Sequence, residues 1–566
     1  MEARVHGDRP GAHLLDGRRK ALRDPPIDAA RISADRRRML NVLPVLVALA
    51  GLPIHAPATP AAPAWWRDAV VYEVFVRSFA DSNGDGIGDL RGLTAHLDLL
   101  NDGDPKTSED LGVDALWLTP IYASPSYHGY DVTDYRAVNP AYGTIADLDE
   151  LIQAAHARGI RVILDFVINH SSSQHPWFRA ARDAKHPEHP RYRSWYLWRA
   201  QAPDWKRPWD RAPVWHSSGA DDWYYALFWS EMPDLNLENP AVFHELVGAM
   251  RFWLARGVDG FRLDAVRHLC ESPDGVLADV DASHAVLKRL RAALAKGHPN
   301  AVLVGEAWSD TANIAKYAGS GDELHLAFTF GVAEGAMAAV VEGQRAPLVE
   351  ALMGAEAAFA DRAFEAPFLT NHDMPRAMRR FGGDLAKARL AAATLFALPG
   401  TPFVYYGEEI GMQGGTSAAD EDKRTPMRFT ASAGHGFSRA ARPWHDAAEG
   451  AGVDVESQRK EGLWRSYQQL IALRHAHPSL SQGTAVRPAL DGGGRGAFAL
   501  LREQGGERVL FLANFDGRAA SDFRVALSGR PTELHSSAPV IVEAAEGSLR
   551  VRGLGPRAFA FVRLER

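Results

Sequence analysis

The 566-residue chain has a single cysteine, Cys270. That excludes an internal disulfide and a thiolate metal cluster, and it leaves the redox compartment undecided. Excess positive charge is also missing. The net charge is −7, and because residues 1–38 hold ten Lys/Arg against six Asp/Glu, the remainder carries −11. Such a balance excludes the broad basic surface that a nucleic-acid partner requires. A membrane-length apolar run is absent too: the most hydrophobic stretch, residues 39–53, is broken by Pro44 and Gly51 and is shorter than the roughly 20 residues of a spanning helix. No cysteine follows it to carry a lipid.

Arg36, Arg37 and Arg38 precede that short apolar run, and an alanine- and proline-rich linker follows it at residues 55–64. A basic flank, a short apolar segment and small residues describe a secretory signal over about residues 36–58, so a periplasmic or extracellular location is expected, with no stable membrane anchor. Residues 1–38 read as a leader or as an over-long start. The hydrophobic content of 46 % is ordinary for a globular chain, and the length implies several domains. Fifteen tryptophans leave rings to spare for stacking on sugars, although most belong to cores.

From Trp65 the chain alternates strand and helix signals over about 400 residues, the pattern of an α/β protein whose parallel sheet closes into a (β/α)8 barrel. Eight strands are expected at residues 69–76, 115–119, 161–166, 260–264, 302–306, 325–330, 368–371 and 402–406. Amphipathic helices are expected between them, among others at 146–158, 242–256, 285–295, 385–398 and 463–475. After the third strand about 70 residues dense in Trp, Tyr, Pro, Arg and Asp interrupt the alternation, an excursion long enough to be a functional insertion. Beyond residue 482 short alternating runs at 497–502, 509–513 and 559–564 predict an antiparallel β-sandwich. The expected organisation is a leader, signal-like segment and linker at 1–64, a barrel at 65–170 and 236–481, an inserted domain at 171–235, and a C-terminal sandwich at 482–566.

The chemistry sits at strand ends. Val258-Asp259-Gly260-Phe261-Arg262-Leu263-Asp264 places an arginine and a carboxylate two residues apart, hence on one face of a strand. The cation can hold Asp264 ionised and aimed, although a structural ion pair at a barrel rim would look the same. Recurrence separates the two readings. The third strand ends Asp165-Phe166-Val167-Ile168-Asn169-His170, the fifth Gly305-Glu306-Ala307-Trp308, and the seventh Leu369-Thr370-Asn371-His372-Asp373. In a parallel barrel all these ends converge on one face.

These segments resemble the four signature regions of the α-amylase superfamily of retaining glycoside hydrolases. The match runs in order from Trp65 to about Pro478. The resemblance implies that Asp264 is the nucleophile, Glu306 the general acid/base and Asp373 the carboxylate that binds sugar hydroxyls and stabilises the transition state. It implies that Arg262 orients Asp264, and that His170 and His372 hydrogen-bond the sugar being cleaved. Retention asks for two carboxyl groups roughly 5–5.5 Å apart. The neighbouring carboxylates are expected to keep Glu306 protonated.

Three further segments bear on specificity. In Ser126-Tyr127-His128-Gly129-Tyr130, exo-acting relatives place an aspartate where Tyr127 stands, and His128 precedes Gly-Tyr as in α-amylases; His128 and Tyr130 are expected to bind substrate. Met232-Pro233-Asp234-Leu235-Asn236 resembles a form of the superfamily's fifth region intermediate between the oligo-1,6-glucosidase and neopullulanase types. Lys423-Arg424-Thr425-Pro426-Met427-Arg428-Phe429, with Pro443-Trp444, resembles a loop shared by oligo-1,6-glucosidases and trehalose synthases, and pulls the other way. The expected substrate is an α-glucan oligo- or polysaccharide cut at internal α-1,4 bonds by a monomer. An exo-acting α-glucosidase, or a transglycosylating relative such as a trehalose synthase, stays open. A non-catalytic relative, such as the membrane-anchored heavy chains of amino-acid transporters, would be expected to lack the carboxylates found here.

Residues 81–89 form a candidate Ca2+ loop. Asp81, Asn83, Asp85 and Asp89 offer side-chain oxygens at alternating positions, Ile87 a carbonyl, and Gly86 the sharp turn. Gly92 stands where an EF-hand has its glutamate, so the loop resembles the single-calcium loop after the first strand in oligo-1,6-glucosidase-like members. An Asx-rich turn without metal is the alternative.

Overall fold

The computed structural model describes residues 64–565 apart from 108, 433 and 449. The leader, the signal-like segment and nearly all of the linker lie outside these residues. Eight parallel strands form the barrel: β1 (Val71–Val74), β2 (Ala115–Leu118), β3 (Arg161–Phe166), β4 (Gly260–Leu263), β5 (Val302–Gly305), β6 (Leu326–Phe328), β7 (Glu365–Ala366) and β8 (Phe403–Tyr405). From β1 to β7 each pairs in sequence order with the next, and β1 pairs with β8 through Val71↔Phe403, Tyr72↔Val404 and Glu73↔Tyr405.

The seventh strand departs from expectation. It lies at Glu365–Ala366, not at residues 368–371, because Pro367 lacks the N–H that would continue the ladder. Phe368 keeps one bridge to Phe403, whose N–H donates to the Pro367 carbonyl at 2.8 Å, and this contact closes the barrel. Residues 369–373 are thereby released from the sheet and curl over its mouth. The barrel is plugged by aromatic side chains: the rings of Trp117, Phe328 and Phe403 pack with centroids 4.9 to 6.1 Å apart. Polar side chains thus collect above an apolar floor.

The helices obey their local sequence. Ile145–Ala157 starts in a capping box formed by Thr144 and Asp147 and buries Leu148, Leu151, Ile152 and Ala155 against the barrel. Pro240–Leu254 begins with proline in its first turn behind the Asn239 cap and buries Leu246, Met250 and Trp253. Asp281–Ala295, Leu385–Ala397 and Leu463–Ala476 fall where the periodicity places them.

After β3 the chain leaves the barrel into a three-stranded sheet of Trp198–Arg199, Asp222–Tyr225 and Trp215–Gly219. It returns through single bridges, His170↔Asp234 and Tyr196↔Leu235, so the insertion is tied down beside the end of β3. At the C-terminus a five-stranded antiparallel sheet and a four-stranded one enclose a core that includes Leu510, Leu512, Leu549, Val551 and Val562. The other face of the five-stranded sheet, with Phe498, Phe511 and Phe561, joins the core of the barrel. Fully buried Arg502 stitches the two together by donating to the carbonyls of Ala397, Leu398 and Gly483.

Candidate active site

Alternation along β3 and β4 aims Asp165, Arg262 and Asp264 into the barrel mouth, with Asp165 and Arg262 paired in register. Arg262 is 1 % exposed, and its guanidinium lies 5.2 Å from the Trp117 ring centre. Its Nη1 donates to Asp264 Oδ1 at 2.7 Å and to both oxygens of Asp165 at 3.0 Å. Nη2 stands 2.9 Å from Glu306 Oε2, an ion pair off the hydrogen-bond line. One planar fork therefore touches the carboxyl groups of Asp264 and Glu306 together.

The other half of the site is held from β1 and β8. His372 donates from Nδ1 to Glu73 Oε1 at 2.6 Å, while its Nε2 lies 2.6 Å from the Tyr130 hydroxyl and 3.1 Å from Asp373 Oδ2. Arg424 Nη2 binds Asp373 Oδ1 at 2.8 Å, and its Nε donates to the His372 carbonyl. Tyr130 joins the halves: its hydroxyl also meets Asp165 Oδ2 at 3.2 Å and Arg262 Nη1 at 3.3 Å.

The charges can be counted. Five carboxyl groups, Glu73, Asp165, Asp264, Glu306 and Asp373, face three cations, Arg262, Arg424 and His372. Burial alone would neutralise His372, but Asp373 and Glu73 push its pKa up to about 10, so it is an imidazolium. Burial likewise works against ionised Asp373, yet His372 and Arg424 hold it well below the usual carboxylate range. Two carboxyl groups remain in excess, which favours protons in this cluster. Burial first, then the nearby carboxylates, raises Glu306; Arg262 opposes without an aligned hydrogen bond. Asp264 is raised by burial too, and Arg262 opposes with both its charge and an aligned hydrogen bond. Burial drives Asp165 up to about 7. The carboxylates that were expected to protect the Glu306 proton thus come second to burial.

His128 accepts from the Tyr130 N–H at Nδ1 and stacks on the Tyr130 ring. Burial lowers His170 to about 4, so it is neutral, and its Nε2 is buried without a hydrogen-bond partner. All eight residues expected to act on substrate therefore gather at one mouth. Three more belong with them that the sequence reading assigned no role: Glu73, Asp165 and Arg424. The first two carried a signal, a lone acid at an inward position of an otherwise apolar strand. Arg424 lies in the loop that resembled trehalose synthases, and it meets the other specificity segment directly, its Nη1 lying 3.4 Å from the Tyr127 hydroxyl. Tyr127 in turn stacks on Trp444 at 5.6 Å. On the opposite side, a cavity of about 890 Å³ runs from Glu306 and Ala265 past Arg267 and Trp308 to Arg207 and Trp209 of the insertion.

The loop at 81–89 closes on its own hydrogen bonds. Asp81 accepts from the N–H groups of Asn83, Gly84 and Gly86 and from Ser438; Asp85 accepts from Ile87 N–H; Asp89 accepts from Ser82 and caps a short helix through Gly92 N–H. Among the described residues, no three His, Cys, Asp or Glu side chains converge as a metal centre. The oxygen donors suit a hard cation in kind, and none of the three aspartates forms an ion pair with a described basic side chain.

A closed parallel barrel with paired carboxyl groups at its strand ends is the architecture of many retaining glycosidases, and the family match places this chain among them. The chain belongs to the alpha-amylase family: the model of the alpha-amylase catalytic domain matches residues 73–483. It is 37 % identical over 428 residues to alpha-amylase 3 of Dictyoglomus thermophilum, covering 75 % of this chain and 80 % of that protein. It is 36 % identical over 508 residues to the trehalose synthase/amylase TreS of Mycolicibacterium smegmatis, covering 79 % and 82 %. The crystal structure of an alpha-amylase from H. orenii superposes with a TM-score of 0.78 at 36 % identity, covering 88 % of this chain and 99 % of that one.

Proposed function

We propose that this enzyme hydrolyses internal α-1,4 bonds of starch or maltodextrins with retention, through a covalent glycosyl-enzyme intermediate. Asp264 attacks the anomeric carbon as Glu306 gives its proton to the departing glycosidic oxygen. A water then gives a proton back to Glu306, its oxygen bonds to the anomeric carbon, and Asp264 leaves as carboxylate. Asp373, fixed as an anion by His372 and Arg424, accepts hydrogen bonds from sugar hydroxyls. His128, Tyr130, His170 and His372 line that sugar's place, and the unpartnered Nε2 of His170 supports its share in the role.

The observation that carries internal cleavage is Tyr127. In exo-acting relatives an aspartate at this position caps the non-reducing sugar; here a tyrosine stands in its place, stacked on Trp444 with its hydroxyl at Arg424, so no carboxylate closes the cleft from this position. A second reading, transfer to a sugar hydroxyl instead of water, is favoured by the similarity to relatives named trehalose synthase. Product analysis on soluble starch, maltotriose and maltose separates them. Rapid viscosity loss supports internal cleavage, glucose alone means exo-action, and trehalose means isomerisation.

We also propose that the loop at 81–89 takes one Ca2+, with Asp81, Asn83, Asp85, the Ile87 carbonyl and Asp89 as donors, in a structural role. Three carboxylates in nine residues without a basic partner support this reading. Export through the segment at 36–58 is proposed on its composition alone; mature protein still beginning before Ala50 would refute it.

A further inference from the structure

β4 ends in an unusual backbone reversal. Ala265, directly after Asp264, lies in the left-handed region at φ +50°, ψ +40°, where a residue with a Cβ is disfavoured. It is buried, and its neighbours lace this reversal around Glu306. Glu306 N–H donates to the Leu263 carbonyl at 3.0 Å, Val266 N–H donates to the Glu306 carbonyl at 3.1 Å, and Ala265 N–H donates to Glu306 Oε2 at 3.1 Å. An extended residue at 265 would send the chain elsewhere and lose the Val266 bond to the Glu306 carbonyl that keeps the 264–265 peptide against this side chain. Strain retained beside reacting groups, and used by them, is the kind that persists at functional sites.

We infer that Ala265 is a positioning residue whose left-handed backbone fixes Glu306 Oε2 as the unprotonated oxygen, so that the catalytic proton resides on Oε1. Oε2 already accepts from the Ala265 N–H and lies 2.9 Å from the positive charge of Arg262, and an oxygen so placed favours the unprotonated form. In the first half-reaction the Oε1–H bond breaks, the proton joins the glycosidic oxygen, the bond from that oxygen to the anomeric carbon breaks, and Asp264 takes up the carbon. Asp264 shows the same division: Oδ1 is held by Arg262, leaving Oδ2 to attack. The charged and titratable groups facing Glu306 are Arg262 and Asp264 from β4, Asp373 from the loop after β7, and His268 beyond Ala265. This inference rests on Glu306 being the general acid.

The test replaces the residue 265 amide by an ester, incorporating lactic acid at that position, which removes the N–H and keeps the methyl group. kcat/KM is measured against pH with maltotetraose and with α-glucosyl fluoride, whose leaving group needs no proton. The N–H stabilises the ionised acid, so its loss raises the pKa of Glu306 and moves the basic limb for maltotetraose up by about one pH unit. The loss in kcat/KM is tenfold or more for maltotetraose, on the order expected for a hydrogen bond to a charged group, and much smaller for the fluoride. Ala265→Gly, which adopts the same φ without strain, keeps the basic limb in place, whereas Ala265→Val shifts it with the ester. An unmoved limb, or equal losses on both substrates, overturns the proposal. If Glu306→Gln lowers kcat/KM for maltotetraose no more than for the fluoride, the assignment of Glu306 fails instead.

Discussion

Replacing Glu73 by Gln probes the charge balance of the mouth without altering its shape. Glu73 Oε1 receives the His372 Nδ1 proton at 2.6 Å, in a site where both side chains are buried. Burial opposes the imidazolium, and Asp373 and Glu73 together raise it to about 10. An opposite charge this close is worth about 1–3 pKa units, so the substitution lowers His372 by about that much. At 1.36 kcal/mol per unit this is about 1.4–4 kcal/mol. The sign follows from linkage. The folded pKa lies above the unfolded value of 6.5, so the contribution is complete below 6.5 and is lost as pH rises through 10. Wild type and Glu73→Gln should therefore differ most at pH 6–7 and converge near pH 10, because the uncharged amide forfeits only the stability tied to that proton. Urea denaturation midpoints at half-unit steps from pH 6 to 10 read the gap. A gap that stays constant over this range would refute a protonated His372 and, with it, the balance of five carboxyl groups against three cations.

Other expectations follow from the same contacts. Tyr127→Asp unstacks Trp444 and offers a carboxylate to the hydroxyls of a chain end, so the ratio of starch to maltose cleavage should drop by about tenfold or more, the scale of one charge-assisted contact; an unchanged ratio would detach Tyr127 from chain-end selection. Glu306→Gln should reduce maltotetraose hydrolysis by several orders of magnitude while sparing the first step on α-glucosyl fluoride, read as a burst of fluoride. Chelation should lower the melting temperature. A metal present at a hundredfold its Kd contributes about 2.7 kcal/mol, and added Ca2+ should restore the loss, whereas an unmoved melting temperature would leave residues 81–89 as a plain turn.

The barrel and the convergence of its polar strand ends were legible because both depend on local rules. Parallel strands alternate with helices, side chains alternate along each strand, and Asp165, Arg262, Asp264 and Glu306 sit at the matching ends. The seventh strand was misplaced because residues 368–371 look more strand-like than Glu365–Ala366. Pro367 decides the matter, and only the pairing of Phe403 with Pro367 and Phe368 shows where the ladder stops. Helices Phe330–Glu342 and Ala346–Ala358 show little amphipathic contrast, since alanine and glycine serve both faces. What the sequence could not show was contact at a distance. Glu73 meets His372 across 299 residues, and Arg424 meets Tyr127 across 297. The same limit explains why burial, a property of the assembled fold, displaced neighbouring carboxylates as the first cause of the raised pKa of Glu306.

In the proposed mechanism the carboxylate of Asp264 bonds to the sugar. Incubation with a 5-fluoro-α-glucosyl fluoride, followed by proteolysis and mass spectrometry, measures this directly. A glucosyl adduct on the peptide containing Asp264, localised to that residue, is the predicted result. An adduct on Glu306 or Asp373, or turnover of substrate to the β-anomer with no adduct at all, would rule out Asp264 as the nucleophile.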